Sequence, residues 1–241
     1  MMEILSQDEI DKLLSSIDDS SNDSSNDSSN DEDDSAATDY KDADDPYSKF
    51  SKDQIRGIAL FHNDFACSVE ESLTDELQCN DLHFTVAAAY QQSIRDFYRT
   101  IPDPTIVGIF SMRPLDGFGM LEIDPAITNA IIGKICGGET ETKTQIFELS
   151  DIGKSIMEFI FNLILENLKD AWADIINLQP KLVNIETHPY SINLYPLKES
   201  CAMVTLETHI EYSEGMMNLC LPYSVIEPVL EKFLTYYGGI K

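Results

Sequence analysis

A polar and acidic tract near the amino terminus limits where this 241-residue chain can fold. Between Asp18 and Asp45 the sequence Ser-Ser-Asn-Asp occurs three times in succession, and the tract has almost no apolar residues. Because such a segment cannot offset the conformational entropy that ordering removes, we expect residues 18–46 to form a disordered acidic linker. A folded domain must then lie in residues 47–241, which are long enough to bury a substantial core.

The segment before the linker has the pattern of one short amphipathic helix. Ser6 and Glu9 have the spacing of a capping box, and Leu5 and Ile10 have that of a hydrophobic staple. Ile10, Leu13, Leu14 and Ile17 follow the spacing i, i+3, i+4 and i+7, which predicts that they form one apolar face. Since a helix of about three turns is marginal alone in water, we expect residues 1–17 to dock on another protein.

The charge of the chain argues against two classes of partner. Its formal net charge is -27 at pH 7 and its sequence pI is about 4.2, so nucleic acid and anionic membrane surfaces would repel it. No positively charged leader opens the chain, and no apolar run approaches the ~20 residues of a bilayer span. The five cysteines occur without a C-x-x-C pair. We therefore expect a reduced, cytoplasmic protein that does not insert into the membrane.

The sequence carries no pattern typical of an active site. None of its four histidines has a carboxylate or cysteine at the spacing of a catalytic or metal site. The run Gly117-Phe118-Gly119 is interpreted as a hairpin turn that enters a strand, whereas a phosphate-binding loop enters a helix. We predict a protein that is not an enzyme and that has no cofactor and no bound metal.

The folded part is predicted to repeat one order of elements: a long helix, a strand, a strand hairpin and a short helix. In the first half we predict helices over 51–77 and 93–98, strands over 82–88, 105–112 and 118–123, and a helix opened by Asp124-Pro125. In the second half we predict a helix capped by Ser150, strands over 181–186, 201–212 and 216–221, and a final helix opened by Pro222-Tyr223-Ser224 or by Glu227-Pro228.

The two halves are separated by a nearly constant offset, which is the signature of an internal repeat. The offset matches three residues of the first hairpin with three of the second: Phe118 with Met216, Leu121 with Leu219, and Ile123 with Leu221. We predict an α+β fold with pseudo-two-fold symmetry, in which a mixed, mostly antiparallel sheet is covered by long helices.

Three finer predictions concern single elements. Apolar spacing on the second long helix predicts this buried face: Ile152, Ile156, Phe159, Ile160, Leu163 and Trp172. Gly215 is predicted to lie in the turn of the second hairpin. Two interpretations of Gly137-Gly138 remain open, a helix C-cap or a turn exposed for contact with a partner.

Five stretches of the sequence occur in the same order in one known family. They are the run from Leu5 to Leu14, Lys49-Phe50-Ser51-Lys52, Ile123-Asp124-Pro125, Gly137-Gly138, and the run from Leu221 to Pro228. Together these stretches resemble the flagellar motor switch family FliM, in which a disordered linker joins an amino-terminal motif to a CheC-like middle domain. The resemblance covers nearly the whole chain.

The resemblance implies partners and site residues. The amino-terminal helix of the family binds phosphorylated CheY, which here implies contacts by Leu5, Ser6, Gln7, Glu9, Ile10, Asp11, Leu13, Leu14 and Ile17. The middle domain contacts FliG through a Gly-Gly-x-Gly loop, which here implies Gly137, Gly138, Glu139 and Thr140. The resemblance further implies FliN and neighbouring FliM copies as partners. It also implies control of the direction of flagellar rotation and a peripheral location at the inner-membrane face of the basal body.

The chain departs from the family pattern in two respects. Thr140 stands where the fourth position of the glycine motif is Gly. The FliN-like domain that follows the middle domain in the family is not among the 241 residues. An adaptor in which residues 1–17 fold back on the domain is an alternative hypothesis.

A second alternative is an enzyme of the CheC type, which dephosphorylates CheY. Those phosphatases use a Glu and an Asn three residues apart on each long helix. In this chain Leu60 stands where the Glu should precede Asn63. On the other helix Phe161 stands three residues after Glu158, and Asn162 comes one residue late. Because one residue turns a side chain by about 100° round a helix, we predict no phosphatase activity.

Overall fold

The structure is a computed structural model that describes residues 49–138 and 149–238. The predicted amino-terminal helix, the linker and residues 139–148 lie outside the described residues, as do residues 239–241. Six strands form one sheet: β1 (Leu82–Ser93), β2 (Ile106–Arg113), β3 (Phe118–Ile123), β4 (Gln179–Glu186), β5 (Ser200–Ile210) and β6 (Ser213–Pro222). The sheet, predicted as mostly antiparallel, is antiparallel at all five pairings of the described strands.

The strand order has the two-fold symmetry that the sequence predicted. The order is β1-β5-β6-β3-β2-β4, and exchanging β1 with β4, β2 with β5, and β3 with β6 only reverses it. The axis passes between β3 and β6, where Leu121 pairs with Leu219, two residues that the offset matched as equivalents. Each half places its first strand beside the other half, because β1 pairs with β5 and β4 pairs with β2. Neither half can therefore complete its sheet alone.

Helices account for most of the remaining described residues. They are α1 (Lys52–Leu77), α2 (Ile94–Thr100), α3 (Pro125–Ile135), α4 (Asp151–Ala171), α5 (Tyr223–Ile226) and α6 (Leu230–Gly238). The predicted final helix is divided into α5 and α6 by a 3₁₀ turn over Glu227–Val229. Pro228 lies within that turn, where its missing N–H cannot continue an α-helical ladder.

The predicted helix caps are present. Ser51 and Gln54 form a capping box, in which Ser51 N–H donates to Gln54 Oε1 at 2.8 Å and Gln54 N–H donates to Ser51 Oγ at 3.2 Å. Asp124 caps α3, whose first residue is a proline, and Ser150 caps α4. Local sequence spacing therefore determined where the long helices begin.

Two apolar cores lie on opposite faces of the sheet. Alternate residues of β2 divide between them: Ile106 and Phe110 belong to the larger core, and Val107 and Ile109 to the smaller one. The larger core holds the buried faces of α1 and α4, and the smaller one holds α2. In the larger core the Phe61 ring meets Trp172 and Phe233 edge to face, with centroids 6.0 and 5.1 Å away.

The buried face predicted for α4 was wrong at two positions. Ile152 is 69% exposed and Phe159 is 47% exposed, whereas Met157 and Phe161 are fully buried. Phe159 lies two residues from both Met157 and Phe161, which places it about 200° away round the helix. The helix carries more apolar residues than one face can bury. Ile160 and Trp172 are buried as predicted, and Ile156 and Leu163 are half-buried.

The second hairpin differs from its prediction in where it turns. Its turn is Glu211-Tyr212, with Glu211 in the left-handed region at φ 52°, and Ile210 pairs with Ser213 across it. Gly215 lies inside β6, where a Cβ atom would approach Ile127 Cγ1 to 2.8 Å. The glycine therefore allows α3 to pack closely on the strand, rather than allowing a turn. The first strand is also longer than predicted and continues beyond Ala88 to Ser93.

His62 of α1 is a fully buried titratable group. Its Nδ1 lies 2.8 Å from the backbone oxygen of Ile58, and its Nε2 has no hydrogen-bond partner among the described residues. Burial lowers the pKa of His62 from 6.5 to about 4, and the hydrogen bond to Ile58 opposes that shift. The unfolded chain therefore binds this proton at a higher pH than the folded domain does, so the fold loses stability as the pH falls from 6.5 towards 4.

Replacing His62 with Leu should remove this pH dependence. Relative to the His62→Leu variant, the wild-type protein is expected to lose unfolding free energy on acidification, by up to about 1.4 kcal/mol per pH unit. Chemical denaturation at a series of pH values measures the difference. The control His188→Gln, at an exposed histidine, should retain the wild-type pH dependence of the unfolding free energy. Identical pH profiles for wild type and His62→Leu would contradict the prediction.

Candidate docking site

The structure describes only part of the predicted site. Gly137 and Gly138 are exposed and follow Cys136, the C-cap residue of α3, while Glu139 and Thr140 lie outside the described residues. The CheY-contacting residues inferred from the family, Leu5 to Ile17, also lie outside them, so the structure does not test that prediction.

The Gly137-Gly138 pair ends α3 in a Schellman motif. Gly137 adopts φ 73°, and its N–H donates to the Lys134 backbone oxygen at 3.1 Å. Gly138 N–H donates to the Gly133 backbone oxygen at 2.9 Å, which completes the motif. A Cβ atom on Gly137 would meet nothing within 4 Å. The pair is thus a helix C-cap and also an exposed turn, so the two interpretations are compatible.

Both ends of α3 are attached to the β5–β6 hairpin. At its start Asp124 N–H donates to the Met216 backbone oxygen at 3.0 Å. At its end the Lys134 ammonium pairs with the Glu211 carboxylate, and hydrogen bonding to Glu211 raises the pKa of Lys134. These contacts hold α3 against the hairpin at both of its ends. The position of the Gly137-Gly138 turn is therefore fixed relative to the sheet.

An open pocket of about 450 Å³ lies beside this helix end. Its walls come from the end of α1, the last residue of α3 and the first turns of α4: Glu76, Ile135, Asp151, Ile152, Ser155, Ile156 and Phe159. The two apolar residues that α4 fails to bury, Ile152 and Phe159, are among them, and Ile135 is 40% exposed. Glu76 and Asp151 add two exposed carboxylates. The pocket is an apolar site with acidic side chains in its lining.

Sequence reasoning missed this pocket because it assigned Ile152 and Phe159 to the buried face of α4. The available signal was an excess of apolar residues on the helix. A stripe through Met157, Phe161, Ile164 and Leu168 already covers one face. Phe159 and Ile152 lie off that stripe and so were candidates for a surface contact.

The residues considered for phosphatase chemistry do not form a paired site. On α1, Leu60 stands where a Glu would be needed and is 40% exposed. On α4, Phe161 stands where an Asn would be needed and is fully buried. Asn162 is exposed, and its Nδ2 donates to the Glu158 backbone oxygen at 2.7 Å. The amide is therefore engaged with its own helix.

The described residues contain neither a cluster of metal ligands nor a membrane-spanning helix. Within 49–138 and 149–238, no group of three or more potential ligands has an arrangement that could hold a metal ion. In that same part of the chain, no helix has the length and apolar character needed to cross a membrane.

A family model for the flagellar motor switch protein FliM matches residues 51–237. This chain belongs to the FliM family. The FliM of Treponema pallidum is 39% identical over 237 residues, which are 98% of this chain and 68% of the relative. The FliM of Borreliella burgdorferi is 39% identical and is matched over 97% of this chain and 67% of its own length.

Solved structures of FliM share the fold. FliM in a FliG–FliM complex from H. pylori is 28% identical, with a TM-score of 0.73 over 76% of this chain and 100% of that one. FliM in a FliM–SpeE complex from H. pylori gives a TM-score of 0.72 at 26% identity, over 80% of this chain and 100% of that one. The FliM middle domain from H. pylori is also similar, with a TM-score of 0.70 at 28% identity over 76% of this chain and 99% of that one.

The positive φ of Gly137 allows a direct test of how α3 ends. Replacing Gly137 with Ala should lower the unfolding free energy by about 1 kcal/mol, because L residues other than glycine are disfavoured in the left-handed region. Gly138→Ala is the matched control, since its Cβ would lie 3.6 Å from the Gly133 oxygen, an ordinary contact. Urea denaturation measures both. Equal losses of unfolding free energy in the two variants would show that the positive φ at position 137 does not require glycine.

Proposed function

We propose that this flagellar motor switch protein joins two partners, FliG at the Gly137-Gly138 turn and phosphorylated CheY at residues 1–17. Binding of phosphorylated CheY then biases the direction of flagellar rotation in chemotaxis. FliG binding is proposed on one observation: the Gly137-Gly138 turn is exposed and an open apolar pocket lies beside it. The related H. pylori FliM, known in a complex with FliG, adds support.

The chemistry of the pocket suggests how FliG docks. In the free domain Ile152 is 69% exposed and Phe159 is 47% exposed. Burying a fully exposed side chain of this kind contributes roughly 1.5–3 kcal/mol, and each of these two contributes the fraction that is still exposed. Glu76 and Asp151 favour cationic side chains beside an apolar anchor. Because Thr140 replaces a glycine of the family motif, we infer that the pocket carries a large share of the contact energy.

Replacing Phe159 with Ala should weaken FliG binding about tenfold or more, since the variant loses apolar area that docking buries. Calorimetric titration with FliG measures the change. The unfolding free energy should fall by less than for a fully buried phenylalanine, because Phe159 is 47% exposed in the free domain.

The matched control is Tyr190→Ala, which removes an aromatic side chain that is 67% exposed outside the pocket. It should leave FliG affinity at the wild-type value. Wild-type affinity in Phe159→Ala, or equal losses in both variants, would rule out the pocket as the FliG site.

For CheY we propose a tethered helix that lies in a groove of its partner. The apolar face formed by Ile10, Leu13, Leu14 and Ile17 is the anchor. Ordering the segment on contact consumes part of the binding energy, so the affinity is modest and responds to phosphorylation of CheY. In this proposal residues 18–46 tether the helix near the switch at an effective concentration of roughly millimolar, which offsets a weak site.

Replacing Leu13 with Ala should weaken binding of phosphorylated CheY about tenfold or more, given the burial contribution of a leucine. Ser15→Ala is the control, because the helical spacing puts Ser15 opposite the proposed apolar face. Titration of the full chain with phosphorylated CheY measures both. Unchanged affinity in Leu13→Ala would count against the helix model.

Deleting residues 1–17 separates a tethered helix from one that folds back on the domain. A tethered helix predicts loss of CheY binding with an unchanged melting temperature. A lower melting temperature would favour the fold-back adaptor instead.

We propose no enzymatic role for the chain. Asn162 hydrogen-bonds its own helix, and neither α1 nor α4 carries a Glu and an Asn three residues apart. Family membership also motivates the remaining parts of the proposal: FliN and neighbouring FliM copies as partners, and a peripheral cytoplasmic location at the inner-membrane face of the basal body.

A further inference from the structure

Glu122 is a buried carboxyl group at the centre of the sheet. It lies on β3, is fully buried, and pairs across strands with Asn218 of β6. That pair is adjacent to Leu121 and Leu219, which mark the pseudo-two-fold axis. Side chains alternate along a strand, so Glu122 points to the same face as Met120, which belongs to the smaller core. The FliG and CheY sites do not use this group.

A chain of hydrogen bonds surrounds the carboxyl group. Asn218 Nδ2 donates to Glu122 Oε2 at 2.8 Å, and Thr205 Oγ1 donates to Asn218 Oδ1 at 2.9 Å. On the other side Thr105 Oγ1 lies 2.5 Å from Glu122 Oε1 and 3.2 Å from the Ile123 backbone oxygen. The network therefore links β3 to β6 and β5, and to the residue that precedes β2.

This network can satisfy a protonated carboxyl group. With a proton on Oε1, Glu122 donates to Thr105 Oγ1, which in turn donates to the Ile123 backbone oxygen. Oε2 still accepts from Asn218. Each hydroxyl of this network then donates to an acceptor. In the ionised form the two side-chain donors, from Thr105 and Asn218, point at the carboxylate instead.

The charges nearby do not compensate a buried anion. The residues that hydrogen-bond around Glu122 are neutral: Thr105 before β2, Asn218 on β6 and Thr205 on β5. Asp124, which follows β3, is the charged group that acts on Glu122, and its carboxylate has the same sign. Burying an ionised carboxylate without a cation costs several kcal/mol in free energy, so neutralisation is favoured.

We propose that Glu122 is a proton-binding site of the folded domain, and that loss of its proton as the pH rises through neutrality weakens the centre of the sheet. Burial raises the pKa of Glu122 from 4.5 to about 7, Asp124 raises it further, and the hydrogen bonds from Thr105 and Asn218 act in the opposite direction. The folded domain then holds a proton that the unfolded chain releases near pH 4.5, so stability falls as the pH rises between these values.

The experiment compares full-length wild type with Glu122→Gln, in which an amide stands in for the protonated carboxyl group. Relative to the variant, wild type should show an unfolding equilibrium constant that rises by up to about tenfold per pH unit between 4.5 and 7. The difference between the two proteins is the required quantity, because His62 acts with the opposite sign over an overlapping range. Glu207→Gln, an exposed glutamate of β5, is the matched control and should parallel wild type.

Infrared difference spectroscopy of the folded full chain gives a second measurement that does not depend on unfolding. The carbonyl stretch of a protonated carboxylic acid should be present at pH 6, disappear as the pH rises through about 7, and be absent from Glu122→Gln. It should persist in Glu207→Gln. A constant difference in stability across the pH range, or a wild-type spectrum without that band, would overturn the proposal.

Discussion

The interleaving of the two halves is the constraint on which the rest of the structure depends. Because β1 pairs with β5 and β4 pairs with β2, each half lacks a neighbour for its own first strand. The short ladder between β3 and β6 then joins the two hairpins at the symmetry axis. All of these pairings are between residues far apart in sequence, so their loop-closure entropy must be overcome before the sheet is stable. The domain consequently behaves as one unit rather than as two repeats.

The same arrangement positions the docking site that we propose for FliG. Helix α3 lies against the β5–β6 hairpin of the other half, and contacts at Asp124 and Lys134 hold its two ends. Its Schellman motif directs the chain outward at Gly137. The start of α4 and the end of α1 complete an apolar pocket next to this turn. A supported helix end beside exposed apolar side chains suits recognition by a protein, because little ordering is needed on contact.

Two buried titratable groups tie the fold to pH in opposite directions. His62 lies in the larger core and disfavours its protonated form, while Glu122 lies beside the symmetry axis and disfavours its ionised form. Desolvation is the main cause in both cases, and it always opposes the charged state. Their contributions partly cancel between about pH 4.5 and 6.5, which keeps the net dependence small where each alone would be steep.

The sequence by itself determined the local features of this protein. Capping residues such as Ser51, Asp124 and Ser150 placed the starts of helices, and the repeated element order predicted the two-fold match of Leu121 with Leu219. These signals depend on residues within a few positions of one another or on a constant offset. Only the tertiary structure decided that Phe159 stays exposed, because the buried face of α4 is chosen by what packs against it. The network around Glu122 depended on the tertiary structure for a related reason: strands β3, β5 and β6 bring together side chains that no sequence spacing connects.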